Sequence, residues 1–376
     1  MKVNVSQQQL AHGLSIVSRA VSPRSTLPVL ANILLTTDEG RVRLSATNLE
    51  LGISCWIGAQ IIEDGDGLTV PARTFTDLIN TLPSDTVTLN VNSKTQTLNV
   101  RCGQNNTDIK GIDAQEFPPM PVADIEDGID LNVSDMKEII RQVVFAASTE
   151  DARPVLQGVS VTMAENILTL AATDGFRISV RKAALSNPVR KPASIIIPAR
   201  ALAELARIAA DGEEIIHMIL PPGRGQVIFH MKNTELVSQL IDGNFPDYKA
   251  ILPKSFRTTV ILSTAAFLKA CKQAEIIARE GTNTIRLNIQ PKTDGPGSVE
   301  ISAQSEETGT SDIALDAAIE GEGLVIAFNV RYLREVLEVI TTPSVSLQVN
   351  TSNSPGMITP TDTTEFLHVV MPMHLG

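Results

Sequence analysis

Three stretches of this chain open in the same way. NVSQQQL begins at Asn4, NVSDMKEI at Asn132 and a fainter LSTAAFL at Leu262. In each, a serine (Ser6, Ser134, Ser263) precedes a helical pattern, at spacings of 128 and 129 residues. Each is a candidate N-cap, since its hydroxyl oxygen can accept a bond from a free N–H of the first turn. Gln9 completes a capping box with Ser6. A second set is PARTFTDLINTL from Pro71, PARALAELARIAA from Pro198 and NVRYLREVLEVI from Asn329. Proline suits the first helical position, where its missing N–H would have had no partner. A third set is of alternating strands: RLSATNLELGISC, LTLAATDGFRISV and, more loosely, EISAQSEETGTSDIAL. Leu27-Pro28-Val29-Leu30 also recurs as Arg153-Pro154-Val155-Leu156.

Several signals at one spacing mean three copies of one module. The period exceeds the roughly 20–50 residues of a solenoid repeat, so each copy is a whole domain. The Phe-Pro segments EFPPMPVADIEDG (116–128) and NFPDYKAILPK (244–254) suit extended linkers. They divide the chain into domains 1–125, 126–253 and 254–376. Within a copy the order reads strand, helix, three strands, then the same again. In the first, the helices fall at 6–20 and 71–82, and strands near 29–37, 41–47, 49–58, 86–92, 96–102 and 107–112. Two helices and about eight strands per copy define an α+β class with helices on one face of the sheets.

The 376 residues carry a formal charge of −11, 43% apolar residues and three cysteines. Cys55, Cys102 and Cys271 never fall in C-x-x-C spacing, which predicts reduced core thiols of a cytosolic protein, with neither disulfide nor zinc site. No apolar run approaches ~18 residues, and the polar start MKVNVSQQQ lacks a signal peptide's apolar stretch, so neither membrane nor export is expected. With 10 Phe, 2 Tyr and 1 Trp, base stacking on aromatic platforms is disfavoured. An enzyme lacks support: there is no G-x-S-x-G, H-E-x-x-H or G-x-x-x-x-G-K-[ST]. His12, His217, His230, His368 and His374 read as surface or cap residues. Asp64-Gly65-Asp66-Gly67 reads as a turn rather than a calcium loop, and Thr173-Asp174-Gly175 as a hairpin turn. No catalytic residue, metal or cofactor is expected.

The helices are two-faced. In 263–280, Phe267, Ala270, Cys271, Ala274 and Ile277 face in. In 199–210, Leu202, Leu205 and Ile208 face in, with Arg200, Glu204 and Arg207 outward. In 329–340, Leu333, Val336, Leu337 and Ile340 face in, with Arg331, Arg334, Glu335 and Glu338 outward. The six helical segments hold 11 basic and 8 acidic residues, against 20 basic and 34 acidic elsewhere. An acidic protein has placed its positive balance on its helices. Arg73, Arg200 and Arg331 take the same place in every copy. Lys137 and Arg141 in the second copy, with Lys269, Lys272 and Arg279 in the third, extend the basic set. Such a lining suits duplex phosphates, contacted weakly and without sequence reading. A scaffold binding only proteins would not need it. A domain of ~125 residues is roughly 35 Å wide. Three in a ring leave a hole ~3 Å in radius and six leave about 17 Å, against the ~10 Å radius of a duplex. One chain cannot encircle DNA, whereas two closed head to tail can.

TLPVLANILL (26–35), ATDGFRISV (172–180), IDGNFPDYKAILP (241–253) and VVMPMHL (369–375) resemble, in order and along the whole chain, the bacterial DNA polymerase III beta subunits, the sliding clamps. The resemblance implies a homodimeric ring of six domains, helices lining the pore and strands on the rim. It implies a non-catalytic cytoplasmic processivity factor that tethers the replicative polymerase to duplex DNA after loading by an ATP-driven clamp loader. Arg24 matches a DNA-contacting arginine, and Arg73 and Arg200 match basic pore positions, although Ala199 stands where a second basic residue is common. Pro154 and Val155 stand where clamps can offer aromatic DNA contacts. The family's peptide-binding pocket maps to Leu156, Thr173, Gly175, Phe176, Arg177 and Ile178, to Pro246 and Ile251, and to the tail Val370, Met371, Pro372, Met373, His374 and Leu375. Phe176 replaces a frequent His or Tyr, and His374 a common arginine. Ile276 and Ile277 match dimer positions that pack near Ile109. Physically, an apolar tail with two adaptable methionines suits short extended peptides with aliphatic or aromatic anchors.

Overall fold

A computed structural model describes residues 1–22, 26–121, 128–189, 191–210 and 215–374. A strand, a helix and three further strands follow one another six times, twice per repeat. The helices are α1 (Gln7–Val17), α2 (Ala72–Thr81), α3 (Val133–Val143), α4 (Ala199–Ile208), α5 (Thr264–Ala278) and α6 (Val330–Val339). Short strands at Gln60–Glu63 and Ile112–Asp113 are additions in the first repeat.

The elements follow the residue patterns. Gly297–Ser305 alternates apolar and polar and buries every second residue, which is what a one-sided strand requires. In α6, Val330, Leu333, Val336 and Leu337 form a buried stripe, each worth roughly 1.5–3 kcal/mol out of water. Cys55, Cys102 and Cys271 are free and buried, and burial pushes the Cys271 thiol well above its usual range.

The helix starts depart from the expected caps. Ser263 does cap α5, its hydroxyl accepting from the Ala266 N–H at 3.4 Å. Ser6 holds the N-cap position but accepts no such bond. Ser134 lies inside α3, and Asn132 accepts from its N–H at 2.9 Å. Asn329 does the same for Arg331. An asparagine one turn-step earlier satisfies the exposed donors, so the serine is drawn into the helix. Pro71 and Pro198 close the preceding strands rather than open the helices. Proline ends a strand there because it has no N–H to give the sheet. Leu27-Pro28-Val29-Leu30 and its copy start 3-10 turns, Pro28–Ala31 and Pro154–Gln157, where strands were expected to begin.

Each half-repeat lends its first strand to the other half. Lys2–Ser6 pairs with Thr86–Asn92, and Leu68–Pro71 with Asn32–Asp38. The same exchange joins Ile129–Asn132 to Ile215–Ile219 and Leu324–Asn329 to Thr284–Gln290. Two antiparallel seams then cross repeat boundaries. Leu51–Gly58, the last strand of one half of the first repeat, pairs with Thr234–Gln239, the last strand of the central repeat. Arg177–Ala184 pairs with Phe366–Val370, last in the third repeat. A nine-stranded and a twelve-stranded sheet result, beside a five-stranded sheet in the first repeat. Two compact units follow these seams: residues 1–134 with 201–240, and 135–200 with 241–376. The central repeat is therefore shared between them.

Candidate peptide groove and basic helix faces

The second seam builds a groove. Its floor is Ala171, Ile178 and Val180, with Phe245, Tyr248 and Leu367 packed on them. Phe245 and Tyr248 meet edge to face, ring centroids 6.5 Å apart. The tail continues the strand pairing: Met371 N–H donates to the Phe176 carbonyl and Met373 N–H to that of Ala327, both at 2.8 Å. Along the rim Phe176 is 64% exposed, Ile251 48% and Met371 39%. Single exposed apolar residues are ordinary, but three of them around one apolar floor make this a candidate binding surface. Leu156 is buried, whereas Pro246 and His374 are exposed. Leu375 and Arg24 lie outside the described residues.

The turn that carries Phe176 is fixed by side chains. Thr173 Oγ1 donates to the Arg177 carbonyl and accepts from the Gly175 N–H, while Asp174 Oδ1 accepts from the N–H groups of Phe176 and Arg177. Gly175 adopts φ +95°, a conformation glycine supplies at no steric cost.

Arg177 is not a lining residue. It is 4% exposed, and its guanidinium bonds to Asp174, to Glu335 on α6 and to the Phe145 carbonyl at 2.7 Å. It stacks 4.4 Å from the Tyr332 ring centroid and 5.3 Å from that of Phe145. A planar, always-charged group can fill all these roles at once, and here it ties the central and third repeats beneath the groove. Burial opposes ionisation of Glu335, but hydrogen bonds from Arg331 and Arg177 prevail and hold its carboxyl below the usual range. Glu335 therefore does not face outward as the helical pattern suggested. Neither does Glu204, which is buried and paired with Arg19 and Arg207.

His368 also departs from its expected surface place. It is fully buried, with Nδ1 2.6 Å from Ser179 Oγ and its ring 5.4 Å from that of Phe145. Burial first, then the nearby Arg177 charge, keeps the imidazole neutral well below its ordinary pKa. The unfolded chain takes up a proton near pH ~6.5 that the native chain refuses, so stability present above that pH is lost as pH falls through it. We expect urea unfolding to show a slope of up to about 1.4 kcal/mol per pH unit below that point. His368→Asn should flatten it, and an unchanged slope would exclude His368 as its source.

The basic residues divide into two groups. Arg73, Arg200 and Lys269 are exposed on α2, α4 and α5. Arg73 reaches Asp77 only at 3.7 Å in open solvent, a pairing of little worth. Lys272, Arg331 and Arg334 instead engage Glu338, Glu335 and Glu275, so that Arg334–Glu275 and Lys272–Glu338 join α5 to α6. Arg207 holds Glu204, Arg279 holds Glu280, and Arg141 donates to the Val339 carbonyl at the end of α6. Lys137 is half-buried on α3. Of the residues matched to a dimer contact, Ile276 is 56% exposed and Ile277 half-buried. Ile109 faces its own core at 5%, because the period-two pleat turns it inward.

Among the described residues no group of His, Cys, Asp or Glu could hold a metal, and no helix is long and apolar enough to cross a membrane. The sequence-based reading missed Phe245, Tyr248 and Leu367 as groove residues, as well as the Glu335, Tyr332 and Phe145 that fix Arg177. The aromatic pair inside the Phe-Pro linker was the available signal for the first two. Nothing local marks the others.

Three repeats sharing sheets across their boundaries, with an apolar groove at the last boundary, have the architecture of a clamp-type scaffold. Residues 1–121, 130–247 and 249–374 match the N-terminal, central and C-terminal domains of the DNA polymerase III beta subunit. The beta sliding clamp of Synechococcus elongatus is 35% identical over all of both chains, and that of Bacillus subtilis 31% over 99% of each. The solved DNA polymerase sliding clamp of B. subtilis superposes with a TM-score of 0.93 at 30% identity, covering both chains fully. A Pseudomonas aeruginosa sliding clamp bound to griselimycin gives 0.91 at 27%, again over both full chains. The chain belongs to the DNA polymerase III beta subunit family. Its function is that of a sliding clamp, a non-catalytic processivity factor of DNA polymerase.

Proposed function

We propose that two copies close head to tail around duplex DNA in the cytoplasm, and that the Phe176–Met371 groove takes an extended segment of the replicative polymerase, the clamp loader or another partner. The observation that carries ring closure is the pair of strand edges left over by the two seams. In each seam a last strand from one half-repeat meets a last strand from the other kind of half-repeat. By that rule, and among the described residues, Asn105–Lys110 and Gly309–Gly321 have no partner across a repeat boundary. Asn105–Lys110 ends the five-stranded sheet. Residues 309–317 pair on one side with Gly297–Ser305, and only 318–321 reach Thr258–Ser263. An unpaired edge is a template for another chain. Each copy offers one edge of each kind, so two copies satisfy both, with Ile276 beside the new seam.

Retention on DNA tests the ring. Loaded protein should stay on nicked circles for as long as the ring remains closed and leave when the circle is linearised. Equal retention on both would sink the topological reading. For the pore, Arg73, Arg200 and Lys269 have free solvent-facing charge for phosphates, and Arg24, Lys137, Arg141, Arg207, Lys272, Arg279, Arg331 and Arg334 add background field. Arg73→Ala with Arg200→Ala should therefore weaken DNA association several-fold at about 50 mM salt and little at about 200 mM, since two fewer counterions are released. The same loss at both concentrations would point to damaged folding.

A further inference from the structure

We infer that the boundary between the first and central repeats carries a second copy of the peptide groove, occupied by the chain's own Met120. The inference rests on reading the Phe176–Met371 groove as peptide-binding. The turn above that groove has a twin: Thr47 Oγ1 donates to the Leu51 carbonyl and accepts from the Leu49 N–H, and Asn48 Oδ1 accepts from the N–H groups of Glu50 and Leu51. Leu49 takes φ +77° where Gly175 takes +95°. Phe117-Pro118-Pro119-Met120 stands where Phe245-Pro246-Asp247-Tyr248 stands, 128 residues earlier.

Strand register makes the match residue by residue. Gly52 pairs with Val237 as Ile178 pairs with Val369. Val237 then pairs with Ile228 as Val369 pairs with Met357. Ile228 pairs with Ile219 as Met357 pairs with Gln348. On the first of these rows sits Met120, packed against Ile219, Ile228 and Val237 on one side and against Val29, Leu30 and Phe117 on the other. A Cβ added to Gly52 would come 2.5 Å from Met120 Cε, so the glycine makes the room the thioether uses. On the second row Tyr248 packs against the cluster of Ala171, Ile178 and Val180. Met357, Gln348 and Leu367 there line a cavity of about 600 Å³. Where Met120 covers Ile219 and Ile228, the equivalent Gln348 and Met357 open on this cavity, whose remaining wall is the 359–365 turn.

Two consequences follow. The first groove is closed to outside peptides, since a tethered side chain competes at an effective concentration in the millimolar range. The second accepts a partner whose apolar anchor reaches the Met357–Gln348 row, as Met120 reaches Ile228 and Ile219. That anchor is a flexible aliphatic or thioether side chain.

Calorimetric titration of the full chain with griselimycin tests this. The native chain should bind one equivalent at the second groove. Met120→Ala should bind two, the added site weaker by no more than roughly tenfold. One equivalent in a Met120→Ala protein that still melts cooperatively overturns the inference. Should that variant fail to fold, Ile178→Gly with Tyr248→Met carries the test alone. It installs the plug in the second groove and should lower affinity at least tenfold, and unaltered affinity overturns the inference. Absence of binding by the native chain is a separate result: it overturns the reading of the second groove on which the inference stands.

Discussion

Removing residues 371–376 should reduce griselimycin affinity at least ~100-fold, about 2.7 kcal/mol, while leaving retention on circular DNA intact. The tail contributes the Met371 surface and the hydrogen bond that anchors the loop of Phe176. Its loss leaves the floor of Ala171, Ile178 and Val180 without the apolar wall that Met371 supplies. The strand edges that we assign to ring closure lie elsewhere, at Asn105–Lys110 and Gly309–Gly321. Affinity by calorimetry and retention on circles, read in the same preparation, separate the two functions. A truncated chain that binds as tightly as the intact one would remove the tail from the groove.

Arg177→Met should cost about 3–5 kcal/mol of stability in urea unfolding. The substitution preserves apolar bulk but leaves Asp174 and Glu335 without a shared partner, together with an orphaned Phe145 carbonyl. The damage should extend to the groove, because the Phe176 turn is bonded through Asp174. Glu335→Gln should cost much less, since Arg177 retains Asp174 and Phe145. A loss below about 1 kcal/mol for Arg177→Met would mean that the buried cluster contributes little beyond packing.

Periodicity made most of the architecture legible. α5 and α6 bury the stripes that the spacing of Phe267, Ala270, Cys271 and Ala274, and of Leu333, Val336 and Leu337, implied. The caps were harder, because Ser134 and Asn132 both have the chemistry to end a helix and only the backbone path chooses between them. The outward charges were legible as charges but not as free ones. Arg331, Arg334 and Lys272 lie at helical spacing that suits a solvent face, yet their partners Glu335, Glu275 and Glu338 spend that charge inside the protein.

The amino-acid order alone determined that the chain is three copies of one module, with which face of each helix is apolar, because a hydrophobic period and a repeat are local properties that burial simply enforces. The family resemblance, not periodicity, pointed to a groove at the apolar tail and the second Phe-Pro linker. Which strands meet across a boundary, and therefore that Arg177 is an internal tie, His368 a buried neutral base and Met120 the occupant of a twin groove, was decided only in three dimensions. Such pairings join residues 32 to 189 positions apart, and their energy depends on desolvation and contact geometry that no stretch of sequence contains.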